Sequence, residues 1–126
     1  MKILFATGGT AGHINPALAV ASYIREKYPD SEILFVGTAD HMESRLVPNA
    51  GFDFKTIKIS GFRRSFAPKA IVHNIKTVCQ LVTSNSACKK IIKDFKPDVA
   101  VGFGGYVSGP VLQTAVSMHI PTCIHE

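Results

Sequence analysis

The residues best suited to chemistry are residues 8–13, which read Gly-Gly-Thr-Ala-Gly-His. The short apolar run at residues 3–6 comes before them and predicts a buried parallel strand. Asn15 and Pro16 come after them and favour the start of a helix. A glycine loop between a strand and a helix presents free backbone N–H groups and the positive end of the helix dipole. We therefore expect an anionic ligand at this loop.

His13 closes the loop, where an imidazole can accept a proton from a hydroxyl group beside a bound diphosphate. The alternative interpretation is a histidine that only caps or packs at the turn. Two common phosphate loops are excluded. Thr10 replaces the second glycine of the dinucleotide fingerprint, and the second predicted strand ends at Gly37-Thr38 without an acidic residue. A nucleoside-triphosphate loop needs Gly-Lys-Ser/Thr, whereas Gly12 is followed by histidine.

The alternation of apolar runs and helical patterns predicts an α/β fold, a Rossmann-like parallel sheet with helices on both faces. The predicted strands are about Lys2 to Thr7, Glu32 to Gly37, Phe54 to Ile59, Val99 to Gly102 and Thr122 to Ile124. The predicted helices are about Pro16 to Tyr28, His41 to Val47, Lys69 to Phe95 and Val111 to Met118. Asn15 is the expected first N-cap, and Pro48 with Gly51 is expected to stop the second helix.

The topology also predicts where a ligand binds. In an open parallel sheet, ligands occupy the crevice beyond the carboxyl ends of the strands. His13, the second glycine loop at residues 104–110 and the pair His125-Glu126 all follow predicted strand ends. We expect these three groups to converge on one crevice although they are far apart in the chain.

Length and composition indicate a single soluble globular domain. The chain has 126 residues, of which 46% are hydrophobic and 18% charged. No apolar run reaches the length of a membrane span and no cleavable signal pattern is present, so we expect a cytosolic location. Cys79, Cys88 and Cys123 lack metal-binding spacing, and we expect reduced, mostly buried thiols. No metal site and no cofactor are predicted.

The net charge of +5 is unevenly distributed. Between Lys55 and Lys96 ten basic residues stand against one acid, a net charge of +9, which leaves −4 for the rest of the chain. Such a segment suggests an anionic partner, either nucleic acid or a membrane surface. No nucleic-acid motif is present, so no nucleic-acid partner is expected.

Within the basic segment, one loop sets two phenylalanines beside two arginines: Phe62, Arg63, Arg64 and Phe66. This combination suits an anionic membrane surface, where the rings enter the headgroup region and the cations contact phosphate. The alternative is an ordinary solvated charged face with the two phenylalanines turned inward.

Four stretches together resemble the N-terminal half of the MurG family of bacterial glycosyltransferases. They are residues 8–17, residues 37–48, residues 102–110 with the string Gly-Gly-Tyr-Val-Ser-Gly-Pro, and residues 121–126. The resemblance covers the whole chain in order. One departure is Ala11, where many members have glycine. The added methyl group narrows the approach of the backbone to a ligand without blocking it.

The resemblance implies an N-terminal acceptor- and membrane-binding domain, residues 1–126, of a two-domain GT-B enzyme whose C-terminal donor-binding domain is absent from this chain. The implied reaction is inverting transfer of N-acetylglucosamine from UDP-GlcNAc to the C4 hydroxyl of undecaprenyl-pyrophosphoryl-MurNAc-pentapeptide. This converts lipid I to lipid II in peptidoglycan synthesis, peripherally on the cytoplasmic side of the bacterial cell membrane. The fragment alone is expected to be inactive.

The resemblance also implies roles for individual residues. His13 is the candidate base, and Glu126 is the alternative base or the group that orients an imidazole. The donor is approached by the first loop, at Thr10, Ala11 and Gly12. The acceptor diphosphate is held by the second loop, at Gly104, Gly105, Tyr106 and Ser108.

Two other functional classes stay open from the sequence. One is a stand-alone membrane-docking subunit of a split glycosyltransferase, which would recruit a catalytic partner. The other is an unrelated nucleotide-binding oxidoreductase domain, against which the missing acid at the end of the second strand counts.

Overall fold

The computed structural model describes residues 1–58 and 86–125. In this part of the chain, five strands alternate with four helices. The strands are β1 (Lys2–Ala6), β2 (Glu32–Gly37), β3 (Asp53–Thr56), β4 (Val99–Gly102) and β5 (Thr122–Ile124). The helices are α1 (Ala11–Lys27), α2 (Glu43–Asn49), α3, helical over residues 86–95, and α4 (Ser108–Ser117).

The strands form one parallel sheet in the order β3-β2-β1-β4-β5. Its two faces are covered by different helices. On one face, α3 and α4 pack against the sheet through Cys88, Ile92, Val111 and Ala115. On the other face, α1 and α2 pack against it through Ala17, Ala21 and Val47. The predicted Rossmann-like fold, a parallel sheet with helices on both faces, is confirmed.

The central strand β1 is apolar on both faces because both are covered. Leu4 and Ala6 face α3 and α4, whereas Ile3 and Phe5 face α1 and α2. The Phe5 ring stacks between those of Phe35 and Phe103, at centroid distances of 5.0 and 5.6 Å. Each large apolar side chain buried in this way contributes about 1.5–3 kcal/mol. This continuous burial explains why a run without polar alternation forms a strand.

The strand order creates a crevice beside β1. From β1 the chain moves outward to β2 and β3, and then returns to place β4 on the other side of β1. The helix after β1 covers one face and the helix after β4 covers the other. The helices that follow β1 and β4 therefore lie on opposite faces at this switch point, and an opening forms at the carboxyl edge of the sheet, where ligands of such folds bind.

The predicted start of the first helix is wrong. Helix α1 begins at Ala11, and its N-cap is Thr10 rather than Asn15. The carbonyl of Thr10 already accepts hydrogen bonds from the amides of His13 and Ile14, at 3.1 Å each. Pro16 therefore lies inside the helix, where it removes one backbone hydrogen bond. As a consequence, His13 belongs to the first turn of a helix and not to a loop.

Two other helix boundaries differ from the prediction because each helix includes a proline that the prediction placed outside it. Helix α2 begins at Glu43 and includes Pro48 in its last turn, and Gly51 with a φ of 84° follows its end. Helix α4 begins at Ser108, three residues before the predicted start, with Pro110 in its first turn. A first-turn proline is tolerated because its missing N–H would have no intrahelical partner there.

Strands β2, β4 and β5 have the predicted bounds, and β1 ends one residue earlier than expected. Strand β3 begins at Asp53 and ends at Thr56, so Ile57 and Lys58 follow it and Ile59 lies outside the described residues. The predicted long helix ends at Phe95 as expected, but its residues before 86 lie outside the described part.

The cysteines only partly follow the prediction. Cys88 and Cys123 are free thiols, and Cys79 lies outside the described residues. Cys88 lies on the buried side of α3, where desolvation raises the pKa of its thiol to about 11. Cys123 is exposed on the edge strand β5, so the expectation of a buried thiol is wrong there.

Candidate functional site

The two glycine loops meet at the carboxyl edge of the sheet. The first follows β1 at residues 8–10, and the second follows β4 at residues 103–107. A Cβ atom added to Gly105 would lie 2.5 Å from the carbonyl oxygen of Gly8, and Gly105 has a φ of 82°. Both the contact and the dihedral angle require glycine at position 105. The loops therefore approach each other backbone to backbone.

His13 lies between the two loops. Its ring packs against the backbone of Gly104, where an added Cβ would overlap Nδ1 and would lie 2.6 Å from Cε1. Gly104 has a φ of 96°, which again favours glycine. The structure thus places His13 and the second glycine loop on the same side of the sheet, although 91 positions separate residues 13 and 104.

A cleft of about 640 Å³ opens beside these loops. Tyr106 stands at its mouth with 68% of its surface exposed. Among the described residues that line the cleft there is no lysine or arginine. The lining residues come from the ends of β1, β2 and β4 and the helices that follow them: Gly8, Gly9, Thr10, His13, Thr38, His41, Glu43, Gly105, Tyr106 and Val107.

Two helix N-termini face this edge of the sheet. The N-cap residues Thr10 of α1 and Val107 of α4 make no side-chain capping hydrogen bond, and neither helix has an acidic residue in its first turn. The first-turn amides and the positive ends of both helix dipoles are thus left without a capping carboxylate of their own. This arrangement favours an anionic ligand held by backbone groups.

Of the three first-loop residues predicted to approach a donor, only one lines the cleft. Thr10 lines the cleft, whereas Ala11 and Gly12 form the first turn of α1 outside the lining. Ala11 lies in the helix, and the residue of this loop with positive φ is Gly9, at 90°. An alanine at position 11 therefore fits the backbone without strain.

Of the four second-loop residues predicted to hold the acceptor diphosphate, two line the cleft and two support it from outside the lining. Gly105 and Tyr106 line the cleft, and Gly104 supports the His13 ring. Ser108 is buried beneath the loop. Its Oγ accepts a hydrogen bond from the Gly104 amide at 3.0 Å. The hydroxyl proton can be donated to either of two carbonyl oxygens, that of Gly104 at 2.8 Å or that of Ala6 at 3.1 Å. Ser108 thus fixes the shape of the loop and does not line the cleft.

Other predicted site residues lie at the margin of the cleft or outside the described residues. His125 follows β5, donates its amide to the carbonyl of Gly102 at 2.9 Å, and stacks on Phe103 at 5.1 Å. It reaches the predicted edge without lining the cleft. The remaining predicted residues lie outside the described part: Glu126, Phe62, Arg63, Arg64 and Phe66.

Sequence reasoning gave no role to Glu43, which the structure places at the base of the cleft. Its side chain is fully buried at the start of α2. Oε1 accepts hydrogen bonds from the amide of Thr38 at 3.0 Å and from its hydroxyl at 2.8 Å. Oε2 accepts one from the amide of Gly9 at 3.1 Å. Glu43 thus ties the loop after β1 to the loop after β2.

Glycine makes room for this carboxylate. A Cβ on Gly8 would lie 2.5 Å from Oε1 of Glu43, and one on Gly37 would lie 2.5 Å from its Cγ. Burial raises the pKa of Glu43, but hydrogen bonds from Thr38, from its own amide and from Gly9 outweigh that effect and leave the pKa lowered. The carboxylate is therefore ionised at neutral pH. In the sequence, an acidic residue near the start of a predicted helix is an ordinary feature, so no local signal marks Glu43.

Replacing Glu43 by glutamine should destabilise the folded chain by roughly 1–3 kcal/mol at pH 7, because an amide cannot accept all three hydrogen bonds. Since the pKa is lowered on folding, the carboxylate stabilises the fold above its ordinary pKa of 4.5, and this contribution is lost as the pH falls through the folded value. Urea unfolding at pH 7 and pH 3 measures both effects, and the gap between wild type and variant should narrow in acid.

The matched control for this change is Glu32→Gln. The Glu32 side chain is 62% exposed in an ion pair with Lys2. Its substitution should change the free energy of unfolding by no more than about 0.5 kcal/mol. Equal unfolding midpoints for the two variants at pH 7 would contradict the stabilising role of Glu43.

Within residues 1–58 and 86–125, no three histidine, cysteine or carboxylate side chains come together as metal ligands would. No helix in the same residues is long and apolar enough to cross a membrane.

Comparison with known proteins places the chain among glycosyltransferases. Residues 3–126 match the family model described as the glycosyltransferase family 28 N-terminal domain. Two curated relatives named UDP-N-acetylglucosamine–N-acetylmuramyl-(pentapeptide) pyrophosphoryl-undecaprenol N-acetylglucosamine transferase align with the entire chain. The one from Lactococcus lactis subsp. cremoris is 51% identical, and the one from Acetivibrio thermocellus is 50% identical. The chain spans 34% and 33% of their lengths, so it covers about a third of the relatives it matches.

Among solved structures, the crystal structure of Acinetobacter baumannii MurG is similar to this chain, with a TM-score of 0.81 and 28% sequence identity. The match covers 99% of this chain and 35% of that protein. A UDP-GlcNAc 2-epimerase from Neisseria meningitidis shares the fold at a TM-score of 0.60 and 20% identity.

Proposed function

Since the chain belongs to the glycosyltransferase family 28 N-terminal domain and has the fold of the N-terminal half of a GT-B enzyme, we propose that it is the acceptor-binding domain of an inverting N-acetylglucosaminyltransferase. The donor is UDP-GlcNAc, and the acceptor is the C4 hydroxyl of undecaprenyl-pyrophosphoryl-MurNAc-pentapeptide. The observation that carries the proposal is the single cleft formed by both glycine loops with His13 between them.

In this proposal the acceptor diphosphate lies against the loop after β4. The first-turn amides of α4 and the positive end of its dipole stabilise the negative charge. Gly105 permits close approach of the ligand to the backbone, and Tyr106 closes the mouth of the cleft. Ser108 contributes indirectly, because its hydrogen bonds to Gly104 set the conformation of the loop.

His13 is the proposed base. The ring edge that carries Nδ1 and Cε1 packs on Gly104, which leaves Nε2 as the nitrogen for a substrate hydroxyl. As the acceptor oxygen bonds to the anomeric carbon from the face opposite UDP, the bond from that carbon to the UDP oxygen breaks. The hydroxyl proton passes to Nε2. The transition state resembles an oxocarbenium ion, and the anomeric configuration inverts. Glu126 remains the proposed alternative base or orienting group.

The donor requires a second domain in this proposal. Thr10, with the first turn of α1 at Ala11 and Gly12, approaches the donor from this side. A C-terminal domain, within the remaining two thirds of the relatives' length, holds most of UDP-GlcNAc. The chain alone should therefore bind the acceptor without catalysing transfer.

The test joins this chain to the C-terminal two thirds of the Lactococcus relative, a fusion called the assembled transferase below. With radiolabelled UDP-GlcNAc and the lipid-linked MurNAc-pentapeptide diphosphate, it should form labelled lipid product, whereas the chain alone should form none. Circular dichroism confirms that the fusion is folded. A folded fusion that hydrolyses UDP-GlcNAc but leaves the lipid acceptor unmodified would overturn the proposal.

We further propose that the domain docks peripherally on an anionic membrane, on the cytoplasmic side of the bacterial cell membrane. The support is the basic segment between Lys55 and Lys96, with its net charge of +9. The lysines of this segment within the described residues are all exposed: Lys55, Lys58, Lys89, Lys90, Lys93 and Lys96. Cations near an anionic leaflet each contribute about 1 kcal/mol to binding.

Neutralising Arg63 and Arg64 to glutamine should weaken flotation with phosphatidylglycerol-rich vesicles by roughly 10- to 30-fold, because two such cations are lost. The control neutralises Lys27 and Arg45, which are exposed outside the basic segment, and should leave flotation near wild type. Vesicles of neutral lipid and added salt should both reduce wild-type binding. Equal flotation of the two double variants would refute the electrostatic role of Arg63 and Arg64.

A further inference from the structure

His41 also lines the cleft, and the proposed mechanism gives it no role. It follows β2, on the opposite side of β1 from the second glycine loop. Its Nδ1 lies 2.7 Å from the hydroxyl oxygen of Thr38, and that oxygen lies 2.8 Å from Oε1 of Glu43. An exposed imidazole is thus linked through one buried hydroxyl to a fully buried carboxylate.

The chemistry of these three groups fixes the direction of the hydrogen bonds. A threonine hydroxyl has one proton to donate, and an ionised carboxylate can only accept. The Thr38 hydroxyl must therefore donate to Glu43, and its oxygen accepts a hydrogen bond from Nδ1–H of His41. The lowered pKa of Glu43 agrees with an ionised carboxylate as the last acceptor in this series of hydrogen bonds. In neutral His41 the proton is then on Nδ1 and the lone pair on Nε2.

We propose that Glu43 and Thr38 hold His41 in the Nδ1–H tautomer, so that Nε2 accepts a hydrogen bond from a hydroxyl group of the acceptor sugar. This inference rests on the proposed function and deepens it by naming a contact to the sugar rather than to the diphosphate. A neutral Nε2 that can only accept favours a hydroxyl donor over a phosphate oxygen.

The position of His41 supports the sugar as its ligand. The diphosphate is assigned to the loop at Gly105, and the Gly8–Gly9 turn lies between that loop and His41 in the same cleft. A ligand that extends from the diphosphate across this turn brings its sugar to His41. Because the hydroxyl could also belong to the donor sugar, the kinetic test separates the two substrates.

The tautomer is tested by long-range ¹H–¹⁵N NMR on the chain, at a pH where the imidazoles are neutral. Wild type and Thr38→Ser should both show His41 protonated at Nδ1, because serine retains the hydroxyl. Thr38→Val should shift the proton towards Nε2, because the acceptor oxygen is gone. A wild-type His41 protonated at Nε2, or a Thr38→Val spectrum like that of wild type, would overturn the proposed relay whatever the enzyme's activity.

The sugar contact is tested in the assembled transferase with His41→Asn and His41→Gln. Asparagine keeps a donor near Nδ1 but removes the acceptor at Nε2, so KM for the lipid acceptor should rise roughly three- to tenfold. Glutamine, which can place an amide oxygen near Nε2, should recover most of this loss. In both variants kcat and KM for UDP-GlcNAc should stay within about twofold of wild type.

These outcomes separate the inference from the proposed function. A rise confined to KM for UDP-GlcNAc, or an unchanged acceptor KM in His41→Asn, would overturn the sugar contact while transfer itself continued. Absence of transfer by the folded wild-type fusion would instead refute the proposed function, and the NMR result would still decide the tautomer of His41.

Discussion

Replacing His13 by alanine is expected to lower kcat of the assembled transferase by about 10²- to 10⁴-fold, the usual contribution of a positioned general base. KM for both substrates should change little, because proton transfer occurs in the transition state and not in the bound ground state. The measurement is the initial rate of labelled lipid formation at saturating UDP-GlcNAc. His13→Gln should be almost as slow, since an amide can hydrogen-bond but cannot accept the proton.

The matched control for His13 is His119→Asn. His119 is exposed at the end of α4, away from the cleft lining, and its φ of 61° suits asparagine. This variant should keep wild-type kcat. Turnover of His13→Ala within about threefold of the control would remove His13 from the mechanism and leave Glu126 as the candidate base.

Replacing Gly105 by alanine is expected to destabilise the fold by roughly 2–5 kcal/mol and to raise KM for the lipid acceptor more than tenfold. The added Cβ would lie 2.5 Å from the carbonyl oxygen of Gly8, a backbone atom that cannot rotate away, and the φ of 82° is unfavourable for alanine. The loops must therefore separate to relieve the overlap. Urea unfolding at fixed protein concentration measures the first effect, and acceptor kinetics measures the second.

Gly109→Ala is the control for this substitution. Gly109 lies in the first turn of α4, and a Cβ at this position would meet no atom within 4 Å. Alanine in a helix is favoured over glycine, so stability should stay unchanged or rise by up to about 1 kcal/mol. If Gly105→Ala were as stable and as active as Gly109→Ala, close contact between the two loops would not be required.

The fold was predictable because its signals are local. Buried runs such as Val99–Gly102 and the glycines and prolines between them indicate the order of strands and helices without any knowledge of packing. Parallel connectivity then brings the ends of β1 and β4 to one edge. The convergence of His13 with Gly104 and Gly105 follows from that rule.

The helix starts were less predictable because competing local signals have similar strengths. Asn15-Pro16 is a good helix start in isolation, but the carbonyl of Thr10 is already used by the amides of His13 and Ile14. Val107 caps α4 without a polar side chain, so no cap residue marked its N-terminus. In both helices the packing against the sheet outweighed the proline signal, as expected when tertiary contacts override weak propensities.

The sequence by itself determined the alternating parallel fold and the two glycine loops, because each depends on neighbours in the chain or on a general rule of sheet topology. The choice of His13 as the candidate base came from the resemblance to a known family. Only the tertiary structure decided the role of Glu43 and its link through Thr38 to His41. The amide of Gly9 lies 34 positions from Glu43, and their contact depends on the register of β1 against β2. Hydrogen bonds of this kind are set by where strands pair, which residue spacing alone does not specify.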